Sequence, residues 1–128
     1  MTTMTDFRLS AASRANLLGV HPDLVLCVSR AITITSVDFM VGEGMRTRAR
    51  QRILFESGAS QTMDSYHLTG DAVDLWAWVD GRVAWDWPLY DLISAAMLDA
   101  AEWVGCVIEW GGSWSTFRDG PHFQRRRE

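Results

Sequence analysis

The strongest constraint on the fold of this chain is an apolar stripe that begins near Pro88. Leu89, Leu92, Ile93, Ala96, Met97, Ala100, Trp103 and Val104 are spaced by three and four residues or lie adjacent on one face, the pattern of a long helix with one buried side. Gly105 follows as its stop. Such a face has to be covered by other elements, and the remaining sequence offers both helices and strands. Ser10 can cap a short helix over residues 10–18, which Gly19 breaks. Pro22 suits the first turn of a second helix, running to residue 33, because its missing N–H costs nothing there. Leu24, Val25, Val28, Ala31 and Ile32 give that helix its core face.

Strands are expected at residues 38–43, 71–79, 82–85, 107–110 and 122–124, and a further helix over 47–57 ends at Gly58. Asp80-Gly81 joins the second and third strands as a hairpin turn. Helices, strand, helix, strands, long helix and strands, without repeats or a low-complexity linker, make an α+β pattern: a small antiparallel sheet flanked by helices. With 128 residues, one domain is expected over residues 1–128, with a core at about 10–124. Hydrophobic residues are 48% and charged ones 22% of the chain, enough to bury a real core.

Charge argues against nucleic acid as a partner. The net charge is −4, and the basic residues gather at 46–52 and 125–127, which read as a solvated helix face and a solvated tail. The apolar stretches fall short of the about 20 residues that a membrane span needs, and residues 1–10 lack a signal peptide's basic start and apolar centre. The expectation is a protein made in the cytoplasm. Cys27 and Cys106 sit in apolar surroundings, where free thiols behave as small hydrophobes; no disulfide is expected. All seven Trp residues fall between Trp76 and Trp114, and they read as core or as the lining of an aromatic groove.

The chemistry concentrates in two segments. Ser65-Tyr66-His67-Leu68-Thr69-Gly70-Asp71-Ala72-Val73-Asp74 places an imidazole and a carboxylate around a glycine. On one straight strand their odd spacing would point them to opposite faces, but a turn at Gly70 lets both converge. Near the C-terminus, His122 follows Asp119-Gly120-Pro121. Three protein ligands and an open position describe a catalytic zinc site; His67, Asp74 and His122 fit it, and Asp119 could serve as general base. Taken singly, each has a plainer reading as a hydrogen-bonded core histidine or a loop cap. His21, before Pro22, reads as a helix start.

These residues resemble a known family. Ser65 to Asp74 matches the S-x-H-x-x-G-x-A-x-D signature of the zinc peptidases that include D-alanyl-D-alanine carboxypeptidases and L-alanyl-D-glutamate peptidases, and Asp119 with His122 matches their second motif. Gly44-Met45-Arg46-Thr47 is similar to the family's G-x-R-[ST] segment, and Trp110-Gly111-Gly112-Ser113-Trp114 to a W-G-G-x-W segment of short phage endolysins; Ser113 departs from an acidic residue common in relatives.

The resemblance implies the fold of the hedgehog and D-Ala-D-Ala peptidases, a Zn2+ cofactor on His67, Asp74 and His122, catalysis by Asp119 and Arg46, and substrate contacts at Ser65 and Gln51. It also implies a monomer that cuts the L-alanyl-D-glutamate bond of the peptidoglycan stem peptide, made in a host bacterium's cytoplasm and released to the wall. The alternatives are a D-alanyl-D-alanine carboxypeptidase and a non-catalytic zinc module that binds the wall.

Overall fold

The register between two strands decides where the chemistry sits. In the computed structural model, which describes residues 5–126, five strands form one antiparallel sheet: β1 (Phe39–Glu43), β2 (Ala72–Val79), β3 (Arg82–Ala84), β4 (Ile108–Trp110) and β5 (His122–Arg125). Their order is β1-β2-β5-β4, with β3 paired to β2 beyond the end of β5. Along β2, Val73, Leu75 and Ala77 are fully buried, which sends Asp74, Trp76 and Trp78 to the other face by the two-residue period. β5 follows the same rule, with Phe123 in the core and His122 and Gln124 facing away.

Four helices complete the chain: α1 (Ala11–Asn16), α2 (Pro22–Ile34), α3 (Arg48–Glu56) and α4 (Trp87–Val104). α2 and α4 pack against each other, and Leu24, Val28, Ile93 and Met97 join the buried face of the sheet in one core. The caps follow from side-chain chemistry. Ser10 and Thr47 accept from the N–H groups of Ser13 and Arg50, and His21 Nδ1 accepts from Asp23 N at 3.1 Å, so His21 starts α2 as its position before Pro22 implies. α4 ends where Gly105 takes φ 90°.

The α+β architecture and every expected element are present, with instructive differences. α1 stops at Asn16, leaving Leu18 exposed. The buried stripe of α4 is narrower than its periodicity: Ile93, Ala96, Met97 and Ala100 are buried, whereas Leu92 and Trp103 are exposed. Spacing says which residues share a face, but α2 and the sheet cover only its centre. Exposed Trp103 instead carries the Arg30 guanidinium 4.6 Å above its ring, a cation–π contact.

The basic clusters are also more structured than solvated surfaces. Arg125 belongs to β5 and pairs with Asp71 at 3.1 Å, while Arg127 lies outside the described residues. Arg46 is buried, although Arg48, Arg50 and Arg52 are exposed as expected of a solvated face. Cys27 and Cys106 are free thiols with their sulfurs 3.0 Å apart, between α2 and the end of α4.

Tyr90 ties α4 to the sheet. Its hydroxyl accepts from Ala77 N at 3.1 Å and donates to Ala84 O at 2.7 Å, joining β2 and β3 to the helix from a nearly fully buried position. Tyr90→Phe keeps the ring and leaves both backbone groups short of a partner, a loss of about 1–3 kcal/mol. Urea unfolding should show a lower midpoint with an unaltered slope; an unchanged midpoint would mean the two bonds contribute nothing net.

Candidate metal centre

The site is built on the face of the sheet turned away from the core. Asp74 on β2 and His122 on β5 are directly opposed in the strand register, which brings their side chains together. His67 comes from a short 3₁₀ turn, Tyr66–Thr69, that precedes β2. Ser65 caps this turn, its hydroxyl accepting from His67 N at 3.2 Å. Gly70 ends it at φ 75°, and a Cβ there would stand 2.3 Å from the carbonyl oxygen of Gly19. Left-handed backbone and this close approach both require glycine, so the chain can reverse and let His67 meet Asp74.

The ligating atoms of His67, Asp74 and His122 all lie within 4.8 Å of one another. Asp74 Oδ1 is 3.2 Å from His67 Nε2 and 3.3 Å from His122 Nδ1. The far side of each ring explains why those atoms can act as donors to a cation. His67 Nδ1 is 2.8 Å from the carbonyl oxygen of Gly44, which can only accept, so Nδ1 carries the proton and Nε2 keeps its lone pair. His122 Nε2 is 2.9 Å from Gln124 Oε1, and the Gln124 amide nitrogen donates to Glu109, so Nε2 is likewise the protonated nitrogen. Two imidazole lone pairs and a carboxylate oxygen therefore converge, an arrangement that repels itself unless a proton or a metal cation lies between. This buried group could hold a metal ion.

The electrostatics agree with that geometry. Burial pushes Asp74 upward, but its close contacts with His122 and His67 outweigh it and hold the carboxyl well below its ordinary range. Burial pulls His122 down, yet its contact with Asp74 leaves its pKa raised. Asp119 is pushed above its usual value, first by burial and then by the negative charge of Asp74.

Arg46 is fixed on three sides. Its Nε donates to Glu43 Oε1 at 2.8 Å, its Nη1 to Gln51 Oε1 at 2.7 Å, and its Nη2 lies 3.7 Å from Asp74 Oδ2. Glu43 reaches this position because β1 carries a bulge at Gly42, which resets the register so that Glu43 faces Asp74. Gln51 is fully buried and its amide nitrogen donates to Ser60 Oγ and to Thr62 O.

A cavity of about 960 Å³ opens over these groups. Arg46, Ser65, His67, Asp74, Asp119 and His122 all line it, so six of the seven site residues expected from the sequence meet in one place. Gln51 is behind the wall, holding Arg46. Of the tryptophans only Trp114 lines the cavity, its ring 5.2 Å from that of His122, and Tyr66 and Phe117 are the other aromatic residues of the lining. Glu43, Gln124 and the Gly44 carbonyl were not singled out by sequence reasoning. Gln124 was within reach of it, since a residue two positions from His122 on a strand shares its face.

Removing either histidine should abolish metal loading. The finer expectation concerns Gln124→Leu, which takes away the acceptor that directs the His122 Nε2 proton outward. Metal affinity measured by competition with a chelator should fall about 10- to 100-fold, and unchanged affinity would show that this bond does not orient the ring.

Similarity to known proteins converges on one group. The family model described as phage L-alanyl-D-glutamate peptidase matches residues 4–126. The L-alanyl-D-glutamate peptidase of Listeria phage A118 is 40% identical over 89 residues, 69% of this chain and 30% of that protein, so the chain spans less than a third of that relative's length. The L-alanyl-D-glutamate peptidase of Escherichia phage T5 is 28% identical over 117 residues, covering 88% of this chain and 85% of that one. Among solved structures, the crystal structure of the Serratia marcescens L-Ala D-Glu endopeptidase ChiX superposes with a TM-score of 0.88 at 47% identity, over 94% of this chain and 92% of that one.

Proposed function

We propose that this chain, which belongs to the phage L-alanyl-D-glutamate peptidase family, is a zinc endopeptidase that hydrolyses the L-alanyl-D-glutamate bond of peptidoglycan stem peptides, with residues 10–124 as its catalytic domain. The observation that carries this reading is the convergence of His67 Nε2, Asp74 Oδ1 and His122 Nδ1 in a cavity that also exposes a carboxylate, Asp119, outside the ligand set. Two neutral imidazoles and one carboxylate suit zinc and leave a coordination position open. Zinc held by these three residues would supply Lewis-acid activation of the attacking water and of the scissile carbonyl.

The remaining work falls to the chain's own groups. Asp119 takes the proton of the attacking water and delivers it to the leaving amine. It lines the cavity with the three ligand residues without belonging to their cluster, which leaves its carboxylate available as a base. Arg46, locked by Glu43 and Gln51, offers a guanidinium beside Asp74 to the negative charge that develops on the carbonyl oxygen. Ser65 serves by capping the turn that carries His67, and Gln51 by holding Arg46. The protein acts in the cell wall after release from the host cytoplasm, as a monomer. Among the described residues no helix is long and apolar enough to cross a membrane.

A non-catalytic zinc module has no chemical use for Asp119, so Asp119→Asn separates the two classes. The amide keeps the shape but cannot accept a proton. Zinc content should persist while hydrolysis of purified peptidoglycan falls by roughly 10² to 10⁴. Mass spectrometry of the wild-type digest should find new D-glutamyl amino termini; free D-alanine in their place would assign the carboxypeptidase reaction. Arg46→Ala should slow turnover on the order of 10²-fold to 10³-fold in the zinc-loaded protein, and full activity would remove Arg46 from the reaction.

A further inference from the structure

Cys27 and Cys106 are the two cysteines of the chain, and the fold brings them together from positions 79 residues apart. Cys27 is fully buried in α2, within the common core. Cys106 is half-buried in the turn that leads from α4 into β4, packed against that core. Their sulfurs stand 3.0 Å apart, closer than sulfurs in ordinary van der Waals contact and only about 1 Å beyond the length of a disulfide bond. Cysteines that merely fill a core as small hydrophobes have no need of so close an approach.

The surroundings leave room for the remaining movement. Residues 105–107 belong to neither α4 nor β4, and Gly105 turns the chain at φ 90° with open space where a Cβ would be. Cys106 N donates to Ala101 O at 3.0 Å, which keeps the residue beside the end of α4. α2 packs along α4, so the helix pair sets the approach of the sulfurs.

The two thiols differ in reactivity. Burial, and then the neighbouring Cys106, push the Cys27 thiol up, and of the two only Cys106 is reached by solvent. Exchange with an external disulfide therefore starts at Cys106. Its thiolate attacks one sulfur of the oxidant, expels the first thiol and leaves a mixed disulfide. Cys27 then attacks Cys106 Sγ and the second thiol departs. Both cysteines are oxidised, the oxidant is reduced to two thiols, and those thiols take up the two protons that the cysteines lose.

We propose that Cys27 and Cys106 form an intramolecular disulfide when the protein meets a disulfide oxidant, a covalent staple between α2 and the entry to β4. The loop it closes contains β1, β2, β3, α3 and α4, so it constrains the unfolded chain strongly. β4 is the strand whose Glu109 holds Gln124 behind His122, and the staple anchors that strand at its start. The bond stands apart from the peptidase reading; only its timing, on passage from a reducing cytoplasm to an oxidising wall space, rests on that reading.

Oxidation of the full chain with glutathione disulfide, followed by intact mass measurement and non-reducing peptide mapping, tests the bond. The expected product is a monomer lighter by two hydrogen atoms, without free thiols when denatured, that yields a cross-linked peptide pair containing Cys27 and Cys106. It should melt about 5–15 °C above the same protein reduced with a phosphine. Cys106→Ser, and Cys106→Ala as a second variant without the hydroxyl, should each melt at one temperature under both conditions. Two thiols that persist after oxidation, a stable glutathione adduct on Cys106, or disulfide-linked dimers in place of the internal bond would overturn the proposal. Equal melting temperatures for the two wild-type forms, or an undiminished shift in the Cys106 variants, would overturn the staple. Hydrolysis of peptidoglycan is measured separately: a protein that forms the bond and cuts nothing removes the peptidase reading alone, and one that cuts without forming the bond removes this inference alone.

Discussion

The pairing of β2 with β5 is the constraint on which the rest of the structure depends. Asp74 stands opposite His122 only because Val73, Leu75 and Phe123 are buried on the other face. A slip of one residue would drive a carboxylate and an imidazole into the core and expose the apolar side chains, so the hydrophobic pattern specifies the register and the register assembles the ligands. β1 joins the same arrangement through its bulge at Gly42. Trp76 lies across this glycine, its ring occupying the place where a Cβ would be, and the reset register puts Glu43 opposite Asp74.

The polar groups behind the ligands are satisfied in an ordered way, while the ligating atoms of His67, Asp74 and His122 face one another. Buried polar atoms are expensive unless paired, and here the partners are arranged in depth: Gly44 O holds His67, Gln124 holds His122 and is held by Glu109, and Gln51 with Glu43 holds Arg46. Orientation of each ring is therefore established before any ion arrives. A cation entering the site meets preset lone pairs, so little side-chain freedom is lost on binding. The same depth explains why Gln51 matters without touching the cavity.

Much of this was legible in the residues. The Gly70 turn between His67 and Asp74, the Asp119-to-His122 spacing and Arg46 after Gly44 all point to groups that do line one cavity, because a fixed local geometry links sequence spacing to direction in each case. What could not be read depends on contacts between distant segments. The burial of Arg46 needs Glu43 and Gln51, the exposure of Leu92 and Trp103 depends on how far α2 and the sheet reach across α4, and the pairing of Arg125 needs Asp71, far back in the chain. Periodicity records which residues share a face and is silent on how much of that face is covered.

Strand register and outward-pinned ring protons fit His67, Asp74 and His122 to hold a divalent cation. X-ray absorption at the zinc edge, on protein loaded with one equivalent, tests it most directly. Two imidazole nitrogens and carboxylate oxygen are expected at about 2.0–2.2 Å, the usual range for such donors, with the imidazole scattering reduced when His122 is replaced. A shell of oxygens alone, with no imidazole contribution and no response to replacing His122, would contradict it.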